Sequence, residues 1–335
     1  MKILILAISD GRHADNILFN SRFYNTIYVS LIDNVGRIAW YFSRVLYRLN
    51  LYQLYAMFFG YVIQKKVSLA QFDYIFINEG DCTECLIDYL LPRSNAKIVF
   101  QYWNTIDKTC GVLPKLIHQY KNNPRVRFQT FDYQDVKKYN LCYNYQFAPY
   151  IAIHAPSSLK KKRVALFVGV DKNRLAKIRE VVEALKQIEI SSKLYVFPDE
   201  GKTYSEKEKK YLYHGTKFAY TDIVNMVAEV DIIIDIAQDN QNGITWRPLE
   251  ALFYQKKLIT NFDKIIKYDF YTPENIFIIG KDDISSLRSF LDCPLNPISE
   301  EIKEEYTFDG CMKYVISEFE DSLNIPMSES HPTSS

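Results

Sequence analysis

Glu250 lies three residues after Arg247 and two after Pro248, in the stretch QNGITWRPLEALFYQKKLITN that follows the apolar run VDIIIDIAQ. A strand ending in polar residues, a glycine and a Pro-opened helix together suit a phosphorylated ligand. Helix N-termini present unpaired N–H groups and a partial positive charge. Gly243 permits close backbone approach, and Thr245 stands between the glycine and the helix. Pro248 suits the first helical position, which predicts Arg247 as the N-cap and Glu250 at the third position. From there the carboxylate can cap its own helix or accept from a sugar or ribose hydroxyl. Arg247 can hold a phosphate through two parallel N–H bonds. It is otherwise unfavourable at the positive end of a helix, a conflict that a neighbouring anion would relieve.

These residues need a scaffold, and 335 residues suffice for two domains. Hydrophobic content of 48% with 24% charged residues is that of a globular chain. Short apolar runs without alternation, predicted as strands at 2–8, 26–31, 74–78, 97–102 and 126–130, suit a sheet covered on both faces. Helical patterns lie between them near 36–65, 82–91 and 110–121, so the sheet should be parallel. IAIHAPSSLKKKR, at 151–163, carries no apolar periodicity and reads as a linker. The strand–helix rhythm restarts at Val164 with RVALFVGV, LAKIREVVEALKQI and SKLYVFP, and ends in EEIKEEY and CMKYVISEFEDSL. The expected division is a Rossmann-like domain over 1–150, the linker, a second such domain with terminal helices over 164–325, and a frayed tail over 326–335. In α/β sheets of this kind ligands bind beyond the carboxyl ends of the strands, so a site in the cleft between two facing domains is expected.

Charge is divided unevenly: residues 1–150 hold 17 Lys and Arg against 11 Asp and Glu. No acidic residue occurs between Asn34 and Phe72, where Arg37, Arg44, Arg48, Lys65 and Lys66 lie among Trp40 and a run of Tyr and Phe. Such a segment can meet anionic lipid headgroups with its charges while the aromatics sit at the interface. It reads equally as a pair of core-packed helices whose charges face water. Nucleic acid is the weaker partner, because the chain is nearly neutral and shows no nucleic-acid-binding motif. The six cysteines form no disulfide framework, and Cys82-x-x-Cys85 lacks the second ligand pair of a zinc site. Reduced thiols in a cytosolic protein are the expected reading. MKILILAISDGR reads as the first strand rather than a signal peptide, since Asp10, Gly11 and Arg12 break the apolar run early.

FVGVDKNR (167–174), DIAQDNQNGITWRPLEAL (235–252), KKLITNFDKIIKYDFY (256–271) and TFDYQDVKKYNLCYN (130–144) resemble segments of GT-B glycosyltransferases, in particular bacterial enzymes of lipopolysaccharide and capsule assembly. The resemblance covers most of residues 95–280 and is most specific in the second half. It implies a second domain that binds a nucleotide-sugar, with Lys172 and Arg174 at the diphosphate. Cations there would stabilise the charge that grows on the leaving phosphate. DKNR also reads as a solvated turn. Glu250 matches the second of two glutamates that many retaining members carry, the one that holds ribose hydroxyls. The first falls on Asn242, a departure that leaves the stereochemistry open. No D-x-D motif occurs, so no metal and no cofactor are expected, and Lys, Arg and helix dipoles would neutralise the phosphates.

An inverting transferase also needs a general base for the acceptor hydroxyl. FDYIFINEGD runs from a strand into a glycine turn, making Glu79 and Asp81 the first candidates. Each also reads as an ordinary turn or cap residue. Asp10 and His13 follow the first strand, and Asn104 and Asp107 in FQYWNTID are further acceptor-side contacts. The partners implied are a nucleotide-sugar donor and a glycan or glycolipid acceptor, with membrane contact through 34–72 at the inner face of the plasma membrane. The competing reading is a non-catalytic nucleotide-sugar- or glycan-binding partner subunit of a transferase.

Overall fold

The computed structural model describes residues 1–7, 15–80, 83–104, 106, 113–151, 163–238 and 241–321. The chain separates into two compact units, one from Met1–Gly11, Phe19–Tyr145 and Phe308–Ser335, the other from Arg12–Leu18 and Gln146–Thr307. Residues 152–162 of the expected linker and the 326–335 tail lie outside the described residues.

In chain order the first half runs β1 (Lys2–Ala7), α1 (Asp15–Leu18), β2 (Asn25–Ser30), α2 (Arg37–Arg48), α3 (Tyr52–Lys66), β3 (Tyr74–Asn78), α4 (Leu86–Leu90), β4 (Lys97–Gln101), α5 (Leu113–Tyr120), β5 (Val126–Thr130), α6 (Tyr133–Tyr139) and β6 (Cys142–Tyr143). Its sheet is wholly parallel, in the order β2-β1-β3-β4-β5-β6. The five predicted strands are all present, because residues such as Ile3 to Ala7 and Ile75 to Ile77 are buried and need apolar side chains on both faces. The helical segment near 36–65 divides at Asn50, whose left-handed φ of 58° closes α2. Leu51 N–H then bonds back to Leu46 C=O at 2.9 Å, the usual way a helix end is satisfied. One face of α3, Tyr55, Ala56, Phe59, Gly60 and Ile63, enters the core. Of the two readings of this segment, core packing therefore holds for that face; the outer face of α2 is exposed and is taken up below.

The second unit continues with β7 (Val164–Val170), α7 (Leu175–Gln187), β8 (Ser191–Phe197), α8 (Glu206–Lys209), α9 (Tyr220–Ala228), β9 (Ile232–Asp235), α10 (Trp246–Phe253), β10 (Lys257–Thr260), β11 (Ile276–Ile278), α11 (Leu287–Asp292) and α12 (Glu300–Glu305). This sheet is also parallel, in the order β11-β10-β9-β7-β8. The order reverses between β7 and β9, and crevices for ligands form at the carboxyl ends of strands at such a point.

The last helix corrects the expected division. α13 (Phe308–Asp321) belongs to the first unit and not to the second. Phe308 packs edge-on against Phe19 and Phe76 with ring centroids 5.3 and 5.5 Å away, and Phe319 packs on Tyr74 at 5.8 Å. Asp309, almost fully buried, accepts from the Ser21 hydroxyl and from the Arg22 N–H at 3.0 Å. Helical periodicity shows that α13 has an apolar face but says nothing about which sheet that face covers. Among the described residues no helix is long and apolar enough to cross a membrane.

Candidate functional site

Thr245, and not Arg247, caps α10: its side chain accepts from the Arg247 N–H at 3.3 Å. The physical reason is that a threonine hydroxyl offers an acceptor and a guanidinium offers none. Pro248 consequently sits at the third helical position, still among the first N–H groups that have no partner within the helix. Glu250 is carried deeper than expected, into the body of the helix, and is fully buried.

The anion that Arg247 requires is Glu250 itself. Arg247 Nη1 donates to Glu250 Oε2, with the two side chains 18% and 0% exposed. Tyr220, at the start of α9, lies edge-on against Trp246, centroids 5.1 Å apart, and donates its hydroxyl to the Pro149 carbonyl at 3.5 Å. Ten residues before Thr245, Asp235 ends β9 and accepts from the Thr245 hydroxyl at 3.2 Å. Burial pushes the Asp235 carboxyl up, against Arg174, the Thr245 hydrogen bond and Arg247. Burial likewise pushes Glu250 up, against the charge and hydrogen bond of Arg247 and the Tyr220 hydroxyl. Each buried carboxylate keeps one oxygen, Asp235 Oδ2 and Glu250 Oε1, without a hydrogen-bond partner among the described residues.

Arg174 closes the other side. Its guanidinium donates to the carbonyls of Val170, Asp171 and Ile236, tying the end of β7 to the end of β9. The resemblance implies a phosphate contact for Arg174; three of its five N–H donors are engaged by backbone, and the other two have no hydrogen-bond partner among the described residues. Lys172 and Asn173 have left-handed φ of 44° and 61°, and both backbone N–H groups donate to the Asp199 carboxylate, at 2.8 and 3.3 Å. Asp171 is buried and accepts from Leu175 N–H at 2.7 Å, Lys202 Nζ at 2.6 Å and the Tyr204 hydroxyl at 2.9 Å. Burial raises the Asp171 carboxyl, but these donors outweigh it and hold the group below its ordinary value. DKNR is thus a shaped turn that leaves the Lys172 side chain exposed. Gly243 is buried and its carbonyl accepts from Gln241 Nε2 at 2.7 Å; Asn242 accepts from Lys264 Nζ at 2.7 Å.

In the first unit Glu79 follows β3 and its Oε2 accepts from the N–H groups of Trp103 and Asn104, at 2.6 and 2.8 Å, and from Asn104 Nδ2 at 3.3 Å. The fold therefore brings together Glu79 and Asn104, two of the sequence candidates. Burial pushes the Glu79 carboxyl up, while those hydrogen bonds oppose the rise. Asp10, His13, Asp81 and Asp107 lie outside the described residues. Among the described residues no group of three or more His, Cys, Asp or Glu is placed to hold a metal ion.

Sequence reasoning missed Asp235, Tyr220, Asp171, Asp199, Lys202 and Tyr204. Asp235 was readable as an acid closing a buried strand, whereas Asp199 joins Lys172 from 27 residues away with no local signal. Asp235 also sets a pH dependence. An acid raised by the fold contributes stability that is complete below its unfolded value and is lost as pH rises through its folded value. Asp235→Asn cannot ionise, so it should lose less stability than the parent between about pH 4 and about pH 7. Urea midpoints at the two pH values measure this; equal losses would remove Asp235 as the source.

No protein-family model matches the sequence, and no curated protein matches it. Solved structures do. The N-terminal domain of Candida albicans trehalose-6-phosphate phosphatase aligns with a TM-score of 0.59 at 11% identity, covering 97% of each chain. An α,α-trehalose-phosphate synthase (UDP-forming) from Burkholderia vietnamiensis aligns at 0.58 and 9% identity, over 96% of this chain and 100% of that one. A glycosyltransferase from Rickettsia africae aligns at 0.55 and 12%, over 96% and 98%. Identities this low speak for architecture alone. With its two parallel sheets, the chain has the GT-B glycosyltransferase fold.

Proposed function

We propose that the chain is a glycosyltransferase that binds a nucleotide-sugar in its second unit and transfers the sugar to a growing surface glycan of the lipopolysaccharide, lipooligosaccharide or capsule type. One observation carries the reading. Beside the point where the sheet order reverses, the buried carboxylate that ends β9 and the one buried in α10 each keep an oxygen without a hydrogen-bond partner among the described residues, next to two guanidiniums. A nucleotide-sugar supplies both complements, hydroxyls for Asp235 and Glu250 and phosphates for Arg174, Arg247 and the exposed Lys172. Gly243 and Thr245 shape the approach to α10. Fixed cations of this kind stabilise the leaving diphosphate as its charge grows. Glu79, whose carboxyl is raised by burial, is the acceptor-side base candidate, with Asp81 beside it in sequence.

Because one similar structure is described as UDP-forming, UDP and UDP-sugars are the first ligands to test. A ligand that binds only the folded state at a hundredfold excess over its Kd adds about 2.7 kcal/mol of stability. The expected result is a raised melting midpoint with at least one nucleoside diphosphate, and release of that diphosphate from its sugar when acceptor is supplied. No shift with any nucleoside diphosphate would overturn the proposal. Binding without turnover would favour the non-catalytic partner subunit, a reading supported by Asn242, whose amide engages Lys264 where the family pattern has a glutamate.

A further inference from the structure

The first unit carries an apolar stripe that its own core leaves uncovered. Along α2, Ile38, Phe42 and Val45 are between 50% and 88% exposed, and Leu49 just beyond the helix is 61% exposed. Positions 38, 42, 45 and 49 share one side of a helix. The buried side of α2 is a different one, made by Ser43 and Leu46. On α3, Leu54, Met57 and Tyr61 form a second exposed row, also at helical spacing. Phe42 meets Phe58 edge-on with centroids 6.1 Å apart, which joins the two helices at the stripe. Scattered exposed apolar residues are ordinary, but a contiguous patch on one face of a helical pair marks a contact surface.

Charge selects the partner. No acidic residue interrupts 34–72, and the cations lie among the aromatics. The Arg44 guanidinium sits 5.7 Å from the Trp40 ring and 5.3 Å from Tyr47, and Lys65 Nζ is 5.1 Å from Tyr61. Arg48 and Lys66 are exposed at the C-terminal turns of the same two helices. We propose that the outer face of the α2–α3 pair docks on an anionic lipid surface. Ile38, Phe42, Val45 and Met57 would enter the headgroup boundary, with Arg44, Arg48, Lys65 and Lys66 facing lipid phosphates. Apolar, aromatic and basic side chains on one exposed helical surface are the combination that lies in a membrane interface without spanning it. A second copy of the chain fits less well. Two-fold pairing would set these cations against their own counterparts, with no carboxylate of the segment to neutralise them.

Flotation of the full chain with vesicles separates the outcomes. Phosphatidylcholine vesicles containing about one third phosphatidylglycerol should carry the protein at least about tenfold better than phosphatidylcholine alone, and added salt should release it. The exposed-face variant Ile38→Ser/Val45→Ser/Met57→Ser should lose about tenfold of that binding with an unchanged melting midpoint, because exposed side chains contribute little to folding. Its nucleotide affinity should also be unchanged, which keeps this test separate from that of the donor site. No flotation with anionic vesicles, or equal flotation of the variant, would overturn the proposal. So would a dimer in solution that the same substitutions dissociate, which would assign the face to a second copy.

Discussion

Arg247→Ala is expected to cost about 3–5 kcal/mol of stability, because it strips the cation from a fully buried carboxylate. Glu250→Ala should cost a similar amount, leaving a mostly buried guanidinium unpaired. Replacing both by apolar residues of similar volume, Arg247→Met with Glu250→Leu, should recover most of that loss, since a buried ion pair and a packed apolar pair are often close in free energy. The double variant distinguishes folding from function. It should unfold in urea near the parent midpoint, yet show no measurable nucleotide affinity by calorimetry. A double variant that binds nucleotide as the parent does would move the donor site away from this pair. The same experiment explains why a single alanine substitution is a poor probe here: lost binding could simply reflect lost structure.

Phe308→Ala is expected to destabilise the first unit by about 3–5 kcal/mol, the usual cost of emptying a buried aromatic site. Phe308 is 1% exposed and touches Phe19 and Phe76, the latter from the middle of β3. Ending the chain after Thr307 should do more. It removes Phe308, Met312, Val315 and Phe319 together, all buried, along with the Asp309 acceptor for Ser21 and Arg22. Hydrogen exchange read separately over residues 19–145 and 146–307 is the informative measurement. Protection should collapse in the first range and persist in the second, because the removed helix belongs to the first unit. Loss confined to the second range would contradict the packing of α13.

The strands and most helices were legible because their signals are local. VALFVGV and IFI are too apolar to lie anywhere but inside a sheet covered on both faces, and LAKIREVVEALKQ places its apolar residues at helical spacing. The strand–Gly–helix reading around Gly243 and Pro248 also matches the elements found there, β9 and α10. It misassigned the cap, since a Pro-opened helix and a Thr-capped one differ by where a single hydroxyl points. Asp235 was readable only as an acid closing a strand: its weight comes from burial beside Arg174 and from contact with Thr245, neither of which spacing reveals. Asp199, Lys202 and Tyr204 reach the DKNR turn from a neighbouring loop, and nothing in the turn itself announces them.

By itself the sequence determined the parallel α/β architecture, the two-part rhythm of the chain and the acid-free basic stretch at 34–72. Those properties follow from side-chain period and charge along the backbone, which are set within a few residues. Only the tertiary structure decided that Arg247 answers Glu250, that Arg174 bridges two strand ends, that α13 covers the first sheet, and that the outer face of α2 is left exposed. Each of these depends on which surfaces lose water to one another, and burial between distant segments determines both the cost of a charge and the partner that offsets it.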